Sequence, residues 1–163
     1  NEHFRLVMEG PPPYPYFRTF RDMFAKWQAC AVASTYSTVG GLWEFGFRHD
    51  PDHPLESLAE YCLGCYTNRN LPGRIDLIEK YVREYEADGL LINSIKSCNS
   101  FSAGQLLVLR EIERRTGKPA AFIETDLVDP RYFSPANVKN RLESYFQMIE
   151  QKRGGAKAPS AAA

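Results

Sequence analysis

Four short, nearly continuous apolar runs constrain this chain more than any other feature. They are Phe4 to Met8, Ala31 to Ser34 with Cys30 at its head, Gly89 to Asn93, and Ala120 to Asp126. Runs of this length without polar alternation suit strands covered on both faces, the usual condition of a parallel sheet. Elsewhere apolar residues recur at helical spacing: Phe17, Phe20, Phe24 and Trp27, then Ile75, Ile78, Val82 and Tyr85, then Val138, Leu142, Tyr145, Phe146 and Ile149. Ser134 before Pro135 marks the start of the last of these helices. Ser102 with Gln105 has the spacing of a capping box that opens another. A shorter helical piece, Leu55 to Leu63, interrupts an irregular stretch from Tyr36 to Asn70.

This order predicts an α/β fold: a mostly parallel sheet with helices on both faces, Rossmann- or flavodoxin-like. The chain has 163 residues, enough for one domain with its own core. Residues 1–153 are expected to form that domain. Residues 154–163, "GGAKAPSAAA", are expected to be a disordered tail. Twenty basic and twenty acidic residues cancel, which leaves no broad basic field for a nucleic-acid partner. No apolar run is long enough to cross a bilayer, so no membrane partner is expected.

Ligands of open α/β sheets bind outside the carboxyl ends of the strands. That rule gathers four loops on one rim: "EGPPPYPYF", "STYSTVGG", "SIKSCNSFS" and "TDLVDPRYFSP". Cys98 therefore falls on the functional rim. A helix start behind it and Lys96 beside it would favour a thiolate, whereas a small buried hydrophobe is the alternative account of the same residue. Cys62-Leu63-Gly64-Cys65 could hold zinc, hold a cluster, cycle as a disulfide, or be two small residues at a helix end. Cys30 reads as core. His49 and His53 flank a polar loop, and Glu124, Asp126, Asp129 and Arg131 form either a ligand-orienting group or an ion pair that holds the loop. Among cofactor motifs there is no dinucleotide fingerprint, no phosphate-binding P-loop and no serine elbow.

The stretches "YCLGCYTNRNLPGRIDLIEKYVREYEADGLLINSIKSCNSFSAGQ" and "GKPAAFIETDLVDPRYFSPANVKNRLESYFQMIEQKRGG" resemble the later part of subunits in the family that unites benzoyl-CoA reductase with the 2-hydroxyacyl-CoA dehydratases. "FRLVMEGPP" and "VGGLWEFGFRHDP" fit the same pattern, so the resemblance runs from Phe4 to Arg153. It implies an iron–sulfur oxidoreductase subunit that acts on an acyl-CoA through low-potential single-electron transfer. The ring-reducing reaction, conversion of benzoyl-CoA to a cyclohexadiene-carbonyl-CoA, is the expected one. Dehydration of a 2-hydroxyacyl-CoA through a ketyl radical is the alternative, and a non-catalytic cluster carrier or assembly domain is the second.

The resemblance further implies a [4Fe–4S] cluster with Cys98 as one ligand, and Cys62 and Cys65 as possible extra ones. On the same resemblance, residues 1–153 are the C-terminal domain of a larger subunit, and the remaining ligands would lie in its N-terminal domain, which is absent here. Implied partners are a homologous second catalytic subunit, ATP-hydrolysing iron–sulfur activator subunits that alone use ATP, and ferredoxin indirectly, all in the cytoplasm. By itself the chain is expected to be inactive. Tyr14, Tyr16 and Gly40 are candidates for the wall of the acyl pocket, and Tyr36 or His49 for the proton donor.

Overall fold

The computed structural model describes residues 2–37 and 46–155. Four strands form one parallel sheet: β1 (Phe4–Glu9), β2 (Ala29–Ser34), β3 (Gly89–Ile95) and β4 (Ala120–Thr125), in the order β2-β1-β3-β4. The helices are α1 (Phe17–Lys26), α2 (Pro54–Gly64), α3 (Leu71–Glu84), α4 (Asn99–Ser102), α5 (Gln105–Thr116) and α6 (Pro135–Gly155). The fold expectation holds, and every strand pairing in the sheet is parallel. The last helix runs through Gly155, past the expected start of the tail.

The two faces carry separate cores. On one, Ile75, Ile78 and Val82 of α3 and Val108 and Ile112 of α5 pack over Val7, Leu90 and Ile92. On the other, Phe20 and Phe24 of α1 and Val138, Leu142, Phe146 and Ile149 of α6 pack over Phe4, Leu6, Leu91 and Ile123. The central strand β3 is buried along its whole length, which is why its sequence lacks alternation. Each such aliphatic side chain contributes about 1.5–3 kcal/mol of burial.

Of the two helix starts marked in the sequence, that of α6 follows its signal and the capping box does not, while α3 shows a cap that the sequence reading did not name. Asn70 caps α3 by accepting from the Gly73 amide at 2.9 Å, and Ser134 accepts from the Asn137 amide at 3.4 Å at the head of α6. The capping box at Ser102 does not form. Ser102 belongs to the four-residue α4, and its hydroxyl donates to Ile95 O at 2.6 Å. Gly104, at φ +83°, precedes α5 instead, and the Gln105 side chain turns inward to a partner on β1. A buried acceptor outcompeted the local cap.

Candidate functional site

The carboxyl ends of the strands are stitched into one rim by hydrogen bonds that cross the sheet. Gly10 N donates to Thr35 Oγ1 at 3.4 Å, joining the ends of β1 and β2. Asn93 donates through Nδ2 to Pro11 O at 2.6 Å and accepts from Thr125 Oγ1 at 2.8 Å, which links three strand ends through one buried amide. Ser97 N donates to Asp126 Oδ2 at 3.0 Å, tying the turn after β3 to the turn after β4. Asp126 also accepts from the amides of Val128 and Asp129, each at 3.1 Å. Bonds from Ser97 and these two amides hold its carboxyl well below the usual carboxylate range.

Gly10 sits at φ +100°, and a Cβ there would lie 2.2 Å from Asn93 O. Only glycine lets the chain leave β1 so close to β3. Connections from β1 and β3 depart to opposite faces at this point, which makes it the switch point of the sheet.

Two parts of the rim differ in chemistry. Beside β2 and α1 lies an apolar groove of about 610 Å³. Met8, Gly10, Phe20, Cys30, Tyr14 and Tyr36 are among the residues that line it. The rings of Tyr14 and Tyr36 meet edge to face with centroids 6.4 Å apart. A hydrogen bond with Tyr36 raises the pKa of Tyr14. Cys30, expected in the core, is half-buried and faces this groove because β2 is the sheet edge. Tyr16 turns away from it and stacks on Phe133 at 4.5 Å, within the core under α6. Gly40 lies outside the described residues.

The other part of the rim carries Cys98. It is exposed and precedes α4, and its backbone is fixed by Cys98 N to Ile95 O (3.2 Å) and Ser102 N to Cys98 O (3.0 Å). The sequence placed it ahead of a helix, but α4 has four residues, too few for a developed dipole, and the next helix opens at Gln105. Lys96 leans over the Tyr132 ring at 5.8 Å and lies 3.8 Å from Glu124.

Cys62 is exposed on α2, and Cys65, just past its end, directs its thiol to Tyr61 O at 3.4 Å. His49 Nδ1 lies 3.2 Å from Ser57 Oγ, with Phe47 and Tyr61 packed about its ring. Asp129 and Arg131 form the ion pair that holds their turn. Among the described residues, no three His, Cys, Asp or Glu side chains converge as a metal site. An exposed rim thiol fits as a single ligand to a cluster completed by residues outside this set, and does not hold one alone.

Sequence reasoning missed the most unusual polar group of the rim. Glu9 closes β1 fully buried, accepts from Tyr66 Oη at 2.9 Å, and accepts from Gln105 Nε2 at 2.5 Å. Burial pushes its carboxyl up to about 7, against the opposing effect of those two bonds and of Arg74. The available signal was an acidic residue closing a strand whose preceding three residues are apolar, "FRLVME".

Residues 1–149 match the family model described as 2-hydroxyglutaryl-CoA dehydratase, D-component. The chain belongs to this family. It is 71% identical to a benzoyl-CoA reductase subunit of Thauera aromatica over 98% of its length, which is 37% of that protein. It is 25% identical to the alpha subunit of lactoyl-CoA dehydratase from Anaerotignum propionicum, over 95% of its length and 36% of that protein. Against the alpha subunit of (R)-2-hydroxyisocaproyl-CoA dehydratase from Clostridioides difficile the identity is 26%, over 93% of the chain and 36% of the relative. The chain thus spans little more than a third of the curated relatives it matches. No helix among the described residues is long and apolar enough to cross a membrane.

Proposed function

We propose that this chain is part of a catalytic subunit of an ATP-dependent benzoyl-CoA reductase, an oxidoreductase that removes the aromaticity of its substrate. The observation that carries the reading is the 71% identity to a benzoyl-CoA reductase subunit across 98% of the chain. A homologous second subunit, ATP-hydrolysing activator subunits and, indirectly, ferredoxin complete the proposed assembly. ATP enters only through the activator, and the site of action is the cytoplasm.

The aromatic ring of benzoyl-CoA resists electron addition, so two electrons and two protons must be delivered stepwise to give the cyclohexadiene-carbonyl thioester. A [4Fe–4S] cluster, when bound, supplies electrons singly at low potential. Cys98 contributes one thiolate from a backbone turn that Ile95, Ser102 and Asp126 hold rigid. Cys62 and Cys65 are secondary ligand candidates at the end of α2. The apolar groove beside α1, with Tyr14 in its wall, seats the ring, and the hydroxyl of Tyr36 stands at it as proton donor. His49, held beside Ser57, is the second candidate for proton delivery.

The family description and the two dehydratase relatives favour a second reading, dehydration of a 2-hydroxyacyl-CoA. Identity separates the two: 71% against 25% and 26%. The test is anaerobic co-expression of the full-length subunit with its neighbours, comparing wild type with Cys98→Ala. Loss of about one cluster per subunit together with benzoyl-CoA reduction is the expected result. Full iron and activity in the variant would remove Cys98 from the ligand set. Turnover of a 2-hydroxyacyl-CoA but not benzoyl-CoA by wild type would decide for dehydration.

A further inference from the structure

We propose that Glu9 is a positioning residue whose protonation state sets the arrangement of the two cysteine-bearing segments of the rim. The proposal deepens the reductase reading, because that reading gives the rim cysteines their purpose.

Three elements meet at this one carboxyl. It closes β1 beside Gly10, it accepts from Tyr66 in the turn directly after Cys65, and it accepts from Gln105 at the start of α5. Tyr66 in turn packs against Phe101 of α4 at 6.1 Å, three residues after Cys98. The Cys62–Cys65 segment and the Cys98 segment are therefore both anchored through Glu9.

The setting makes the anchor sensitive to charge. Glu9 is 0% exposed, and both its hydrogen-bond donors are neutral. Among the described residues, the cation that acts on it is Arg74 of α3, whose guanidinium is bonded to Arg69 O and Thr67 O and lies 5.4 Å from the centre of the Tyr66 ring. A buried carboxylate without a bonded cation is costly, so proton uptake is the natural way to relieve it. Gln105 Oε1 is buried and lacks a hydrogen-bond partner among the described residues. A protonated carboxyl, unlike a carboxylate, has a proton to offer such an acceptor, so the two states of Glu9 favour different arrangements of the Gln105 amide.

Hydrogen exchange read by mass spectrometry on the intact protein tests this, with rates corrected for intrinsic pH dependence. Protection of the peptides that span residues 62–68 and 98–107 should fall together, by about threefold or more, between about pH 6 and about pH 8. In Glu9→Gln the same peptides should show flat protection, because the new amide keeps the Tyr66 acceptor and can donate to Gln105 Oε1. Tyr66→Phe removes a bond that favours the ionised form and should move the wild-type midpoint upward. Equal wild-type protection at both pH values, an undiminished fall in Glu9→Gln, or an unmoved midpoint in Tyr66→Phe overturns the proposal. Iron and acyl-CoA play no part in this readout, so its failure and the failure of the reductase reading are separate results.

Discussion

The carboxylate of Asp126 accepts the amide proton of Ser97 at 3.0 Å, so the turn that presents Cys98 is fastened to the end of a strand 29 residues away in sequence. The same carboxylate closes its own turn through Val128 and Asp129. A cysteine proposed as a cluster ligand would benefit from such bracing, since its position then follows the sheet and not the loop.

Asp126→Asn keeps the size of this side chain but removes the charge and one acceptor oxygen. The variant should lose about 1–3 kcal/mol of stability in denaturant unfolding. Alkylation of Cys98 should accelerate relative to that of Cys30. Because the Asp126 carboxyl titrates below its ordinary range, this stabilisation is present above the unfolded-state value and is lost as pH falls through the folded one. Wild-type stability should therefore drop at acid pH more steeply than that of Asp126→Asn.

Glu9 predicts the opposite slope. Its folded value, about 7, is raised from 4.5, so the folded state binds more protons than the unfolded state between those limits. The stabilisation is full below the unfolded value and is lost as pH rises through the folded one, to the extent of about 3 kcal/mol. Unfolding midpoints of wild type should decline from about pH 5 to about pH 8, and those of Glu9→Gln should change less over that window.

Gly10→Ala should be among the most damaging single changes in the chain. Alanine at φ +100° is strained, and its Cβ would fall 2.2 Å from the carbonyl oxygen of Asn93. A loss of at least about 3 kcal/mol, or failure to fold, is expected in thermal or denaturant unfolding. A near-neutral result would mean that the switch-point turn can relax.

Tyr145→Phe tests the core under α6. The hydroxyl donates to Leu90 O at 2.9 Å and approaches Pro119 O at 3.3 Å, with the ring fully buried. Its loss should cost about 1–2 kcal/mol, read from the denaturant midpoint at unchanged slope.

The sheet, the helices that cover it and the rim where the loops meet were all legible in the residues alone. Buried strands and amphipathic stripes leave periodic signatures: Leu90, Leu91 and Ile92 declare a strand covered twice, and Val138, Leu142 and Ile149 declare one face of a helix. The family was legible too, through long matching stretches around Cys98 and after Glu124. What each rim side chain touches was settled by the packing of distant segments. Ser102 and Gln105 have the spacing of a cap, yet one bonds Ile95 and the other Glu9. Tyr14 and Tyr16 stand two residues apart, yet one lines the groove and the other stacks on Phe133. Glu9 ends its strand as an acidic residue after an apolar run, but nothing local shows what it bonds, and its partners come from residues 57 and 96 positions away. Periodicity reports which face of an element is buried, whereas a polar contact depends on which distant groups the packed layers bring within about 3 Å of each other.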